Sequence, residues 1–155
     1  MQILPLMFFA PVLLAVAYFD LRYMRIPNVL SLIGLGIFAV FAYWLGWSEA
    51  GLRMAAAAII FGIGVGAFVM NWFGGGDIKM LSVLMLFVPS GTWQLYALCF
   101  SVAMIFGIMF VLTLRAAPWL EGSSWVTIEK KGTFPMGISI ALSGLLLPFA
   151  LNLLA

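Results

Sequence analysis

Ile78–Val88 reads IKMLSVLMLFV, and the architecture turns on whether these 11 residues cross a membrane. An α-helix rises about 1.5 Å per residue, so the run reaches about 16 Å, roughly half of a ~30 Å hydrocarbon core. By length alone it is a re-entrant or buried segment. Five other apolar runs are long enough to span: Ile3–Phe19, Val29–Trp47, Met54–Phe73, Trp93–Leu114 and Pro135–Leu154. Of the 155 residues, 66% are hydrophobic and 8% charged, against about 25% charged in a soluble domain. Such a chain cannot cover a water-facing surface and is an integral membrane protein.

The cations decide between five crossings and six. With six crossings and the N-terminus outside, the cytoplasmic connections hold Arg22, Arg25, Lys79, Arg115, Lys130 and Lys131, and only Arg53 is outside. That is a strong positive-inside bias. If Ile78–Val88 does not cross, Arg115, Lys130 and Lys131 join Arg53 outside and the bias vanishes. The expectation is an all-α polytopic membrane protein. It has six transmembrane helices, the fourth short and enclosed by the others, and both termini outside. Residues 1–155 form one integral-membrane domain, with Arg115–Phe134 as a cytoplasmic loop within it. That loop reads as a solvated connector, with Pro118, Gly122, Ser123 and Ser124, and with Trp119 and Trp125 at headgroup level. Ala15–Tyr18 looks like a signal cleavage site. No Lys or Arg precedes the first run, however, and two follow it, the reverse of a signal peptide.

Several chemistries are excluded. The chain has no histidine and one cysteine, Cys99, so Ser-His and Cys-His catalysis, haem and a cysteine zinc site are out. The 10 methionines are scattered and read as packing or lipid-facing residues. No metal, cofactor or nucleic-acid partner is expected. Gly62 and Gly66 form a Gly-x-x-x-Gly pair beside Gly64 and the run Ala55–Ala58, the spacing is repeated by Gly137 and Ala141, and these small residues are expected to mark close helix packing.

Five acidic residues remain to be placed. Glu49 falls in an external loop, and Glu121 and Glu129 in the long cytoplasmic one. Asp20 ends the first helix and Asp77, in the stretch WFGGGDIK at Trp72–Lys79, begins the fourth. Six crossings bring both to the same depth on the cytoplasmic side. A carboxylate near or within a membrane is expensive and is a functional candidate. Two carboxylates about 3 Å apart share one proton. The ionised member takes a proton from water while the protonated member polarises a peptide carbonyl. That is aspartyl proteolysis, and it needs nothing this chain lacks. Gly74, Gly75 and Gly76 would let an extended peptide approach and allow positive φ, and their amides could bond a substrate strand. Simpler readings stand beside this one. Asp77 would cap a helix, Asp20 would pair with Arg22 or Arg25, or the two aspartates would serve a scaffold or an ion or proton path.

Three motifs narrow the choice. Phe73–Lys79, FGGGDIK, resembles the Gly-x-Gly-Asp signature of intramembrane aspartyl proteases, carried by Gly74, Gly76 and Asp77. Asp20–Asn28, DLRYMRIPN, resembles the other catalytic segment of type IV prepilin peptidases, with Arg25, Ile26, Pro27 and Asn28 after the aspartate. Phe134–Gly144, FPMGISIALSG, resembles the last-helix segment of the short members that serve Flp/Tad-type pili. The resemblance implies that Asp20 and Asp77 are the catalytic pair. It also implies that the enzyme removes the basic leader of prepilin or pseudopilin precursors at the cytoplasmic face of the bacterial inner membrane. Large members carry an insertion near the first helix with a four-cysteine zinc site, associated with N-methylation. Here only Asp20–Asn28 joins the first two runs and Cys99 is alone, so the resemblance implies neither zinc nor methyltransferase activity. Presenilin-like proteases also need a Pro-Ala-Leu segment. Pro135–Gly137, PMG, stands near that region and is a different motif.

Further candidates for substrate binding or support of the aspartates are Pro27, Asn28, Lys79, Pro135 and Gly137. Pro27 and Asn28 have an ordinary role at the start of the second helix, with Asn28 as its cap. Lys79 reads best as snorkelling to lipid phosphates. Lys79 with Ser82 is a weak match to a Ser-Lys protease pair, lacking any oxyanion-hole signature. Arg22 and Arg25 fix orientation against anionic lipid. Membrane lipids are therefore expected partners, and the oligomeric state is left open.

Overall fold

The computed structural model describes residues 2–117, 125–129 and 134–154. The sequence expectations for Pro118, Trp119, Glu121, Gly122, Ser123, Ser124, Lys130 and Lys131 lie outside the described residues. The described chain is all helical: α1 Leu4–Tyr23, α2 Asn28–Leu45, α3 Trp47–Val69, α4 Gly75–Met85, α5 Trp93–Ala116, α6 Val126–Glu129 and α7 Met136–Leu154. A 3₁₀ turn, Ser90–Thr92, leads into α5. Five of these helices are long and apolar enough to cross a membrane, and α4 is not among them.

The short helix is the hub. It packs on α3, α2 and α7, while α7 also packs along α1 and α5. Its Met80 and Leu84 are fully buried, as are Phe87 and Val88 just beyond it. Phe87 stacks on Phe9 of α1, with ring centroids 4.1 Å apart and planes 3° from parallel. Phe38 of α2 meets Phe87 edge-on. The enclosure of the fourth run is as the sequence implies.

Two boundaries differ from the sequence reading, and both have a physical cause. First, α3 starts at Trp47 rather than near Met54. Gly46, at φ +82°, turns the chain sharply out of α2. Glu49 then sits in the first turn, where the helix dipole favours an acid. Arg53 one turn on donates from Nε to Glu49 Oε1 at 2.8 Å. Glu49 and Arg53 are therefore helical, not loop residues, and Arg53 is 0% exposed. Its other nitrogens donate to Phe87 O at 3.3 Å and to Gln2 O at 3.2 Å. Glu49 in turn accepts from Ser90 N and Ser90 Oγ. Residues 86–88 tighten into i→i−3 bonds after α4. The guanidinium thus serves the Phe87 carbonyl, which a helix ending inside an apolar bundle would leave bare, and the Gln2 carbonyl ahead of α1.

Second, α1 runs one turn past Asp20, to Tyr23, and closes on Met24 at φ 49°. Arg22 lies against the rings of Tyr18 and Tyr23 rather than against an acid.

Two further expectations are corrected. Gly62 and Gly66 face open space, so they are not the packing face of α3. Gly64 between them is: a Cβ there would stand 2.4 Å from Ile78 Cγ2 of α4. The loop after α5 is not wholly a solvated connector. Its α6 packs on α1 and α5, Thr127 is fully buried, and Arg115 Nε donates to Thr127 O at 2.9 Å.

Candidate active site

Asp20 lies in the last turn of α1 and is 4% exposed. The first amides of an α-helix have no partner within it. At the start of α7 one of them is taken by Asp20: Gly137 N–H donates to Asp20 Oδ2 at 2.6 Å. Only glycine fits there. A Cβ at position 137 would stand 2.7 Å from Asp20 Oδ2 and 2.9 Å from Asp20 Cβ and Cγ. Thr127 Oγ1 donates to the backbone oxygen of Asp20 at 3.4 Å. Among the described residues no basic side chain forms an ion pair with Asp20, so the pairing with Arg22 or Arg25 is not what holds it.

Asp77 is half-buried, in the first turn of α4 rather than before the helix. The helix N-cap is Gly74, at φ −71° and ψ 141°. Asp77 curls back over that residue, and a Cβ on Gly74 would stand 2.8 Å from Asp77 Oδ2. Of the three glycines, Gly74 alone is called for by this packing. A Cβ on Gly75 would make an ordinary contact with the ring of Phe68 at 3.5 Å, and one on Gly76 with Ile26 at 3.4 Å. None of the three adopts positive φ. The left-handed residue of this connection is Asn71, φ 60°. It ends α3 in a Schellman pair, Trp72 N to Ala67 O and Asn71 N to Phe68 O.

The two carboxylates face one cavity of about 520 Å³. Gly74, Trp72, Phe134 and Pro135 line it with them. A narrower apolar cleft of about 130 Å³ opens from Asp77 between α3 and α4 and is lined by Gly64, Ile78 and Leu81. Among the described residues, no three His, Cys, Asp or Glu side chains gather where a metal could bind.

The structure thus brings Asp20, Asp77, Gly74 and Pro135 to one cavity, with Gly137 directly behind Asp20. Gly75 and Gly76 lie beside Phe68 and Ile26. Pro27, Asn28 and Lys79 lie outside the cavity. Pro27 is the N-cap of α2, and Asn28 is its first residue and makes no cap bond. Asn28 Oδ1 instead accepts from Lys79 Nζ at 3.1 Å. That bond ties the segment after Asp20 to the helix that carries Asp77. Thr127 escaped the sequence reading because a lone threonine in a polar loop carries no signal. Trp72 and Phe134 were legible as neighbours of the motifs but not as cavity walls.

A family model, the type IV leader peptidase family (peptidase family A24), matches residues 7–112. The chain belongs to that family. It is therefore an aspartic endopeptidase with several membrane-spanning helices. The family implies prepilin-like substrates. The match contains both Asp20 and Asp77 and ends before Phe134–Gly144. Searches of curated proteins and of solved structures returned no match.

Proposed function

We propose that Asp20 and Asp77 are the catalytic pair of a prepilin peptidase. The enzyme cuts the basic leader from type IV or Flp-type precursors at the cytoplasmic face of a bacterial inner membrane. The observation that carries this reading is the shared cavity: carboxylates 57 residues apart in the chain line one space. The ionised carboxylate accepts a proton from water as its oxygen attacks the scissile carbonyl carbon. The protonated carboxylate donates to the carbonyl oxygen. The tetrahedral adduct collapses as the C–N bond breaks: the amine nitrogen takes the proton that the first carboxylate accepted from water, and the second carboxylate recovers its proton from the diol hydroxyl as the product acid forms. Water is consumed, and no covalent enzyme intermediate forms. Gly137 holds Asp20, and Gly74 leaves room for the Asp77 carboxylate. Residues 1–155 act as one domain in this scheme, with no zinc and no methyl transfer.

The reading includes six crossings with both termini outside. Arg22, Arg25, Lys79 and Arg115 belong to elements at the aspartate end of the bundle. Arg53 binds Gln2 and Phe87 at the other end. The run from Asp77 to Phe87 therefore joins the two levels that α1 joins from Asp20 to Gln2, which favours a crossing over a re-entrant turn. An ion path or inert scaffold is the less favoured reading, since the acid at the far end, Glu49, is consumed by Arg53 and Ser90.

The test is co-expression with a candidate prepilin, following the precursor's shift on a gel. Wild type should process it, while Asp20→Asn and Asp77→Asn should accumulate the precursor at wild-type enzyme levels. Processing by either variant at the wild-type rate sinks the assignment.

A further inference from the structure

A second cavity lies on the opposite side of α4 from Asp77. Positions 77 and 79 are about 200° apart on a helix of 3.6 residues per turn. The face carrying Lys79, Val83 and Leu86 closes a groove of about 530 Å³ with α2 and α3. Below its mouth the groove is apolar, walled by Leu32, Leu35 and Phe61 among others. The two hydroxyls in it are already engaged, Ser82 Oγ with Ile78 O and Ser31 Oγ with the sulfur of Met80. Polar chemistry is confined to one end, where exposed Lys79 donates to exposed Asn28. Among the described residues no carboxylate forms an ion pair with Lys79.

The chemistry selects the occupant. Asn28 to Phe38 on α2 covers about 15 Å at 1.5 Å per residue, the depth of one leaflet of a ~30 Å core. An apolar groove of that length whose one charge is a cation at its end suits an amphiphile with an anionic head and an apolar tail. We propose that it is a binding site for a single anionic phospholipid. The phosphate meets Lys79 at the mouth and one acyl chain lies between α2, α3 and α4. Because Lys79 and Asn28 join the two aspartate-bearing segments, the bound lipid braces that junction from outside the cavity. The inference does not depend on the catalytic assignment.

The test is native mass spectrometry of the purified chain with phosphatidylglycerol, phosphatidylcholine or glycerol phosphate added. One phosphatidylglycerol should be retained at least fivefold more strongly than phosphatidylcholine. Lys79→Gln should remove the preference. Leu32→Trp, at a lipid-facing position on the groove wall, should weaken both lipids. Arg25→Gln, an exposed cation that does not line the groove, should leave binding unchanged. Equal retention of the two lipids, or an undiminished preference in Lys79→Gln, overturns the site. So does competition by glycerol phosphate at equal concentration, since a soluble phosphate site needs no groove. Displacement of the lipid one for one by a transmembrane peptide would also overturn it.

Discussion

At the residue scale, the placement of Asp20 rests on a glycine. Gly137 supplies the N–H that Asp20 accepts, and it leaves no room for a side chain. Alanine there keeps the amide but drives a methyl into the carboxylate. Small-to-large changes in a packed site cost about 1–3 kcal/mol, and here the neighbour that must yield is the proposed catalytic group. Gly137→Ala should therefore cut precursor processing about tenfold or more, since each ~1.4 kcal/mol lost from transition-state stabilisation is tenfold in rate. Gly62→Ala, whose Cβ meets nothing, should process normally and express at least as well. Both are read from the precursor-to-product ratio at matched enzyme levels. A processing rate for Gly137→Ala equal to that of Gly62→Ala would remove Gly137 from any positioning role.

At the element scale, the short α4 depends on a buried cation. Arg53 holds Phe87 O and Gln2 O while paired with Glu49. Breaking a buried pair by removing one partner costs about 3–5 kcal/mol. Arg53→Met should lower the thermal midpoint in detergent markedly, and Glu49→Gln less, because the guanidinium keeps its two carbonyls. Replacing both by apolar residues should not restore stability, as Phe87 O and the Ser90 donors lose their partners as well. A double variant as stable as wild type would mean those carbonyls find water instead. This element also marks where sequence reading stops. The i,i+4 spacing of Glu49 and Arg53 was in plain view, but two charges beside a glycine read as a loop. What makes them helical is the dipole of α3 and the contacts to residues 34 and 51 positions away. The aspartates were legible because an acid in an apolar run has few uses. The glycines were half legible: close approach was right for Gly74, but what approaches it is the carboxylate of Asp77 in the same chain. The Gly62–Gly66 pair misled because spacing names a face without naming which face is covered.

At the scale of the whole molecule, everything proposed for the site depends on the chain between Asp77 and Pro89 passing from one end of the bundle to the other. Gly91 reports on this directly. It is exposed, a Cβ there meets nothing, and its φ is not positive, so cysteine is tolerated. The native Cys99 is buried and can be replaced by Ala to give a silent background. Six crossings put Gly91 on the same side as Trp47, in the turn that begins α3, and opposite Arg25 in the α1–α2 connection. In intact cells a membrane-impermeant maleimide should therefore label Gly91→Cys and Trp47→Cys. Arg25→Cys should label only after permeabilisation. If α4 folds back instead, Gly91→Cys would label together with Arg25→Cys. Arg115 would then lie on the far side from Asp20, in conflict with its bond to Thr127, whose side chain reaches Asp20 O. The labelling result thus decides the topology, and with it whether the proposed cleavage at the cytoplasmic face fits the fold.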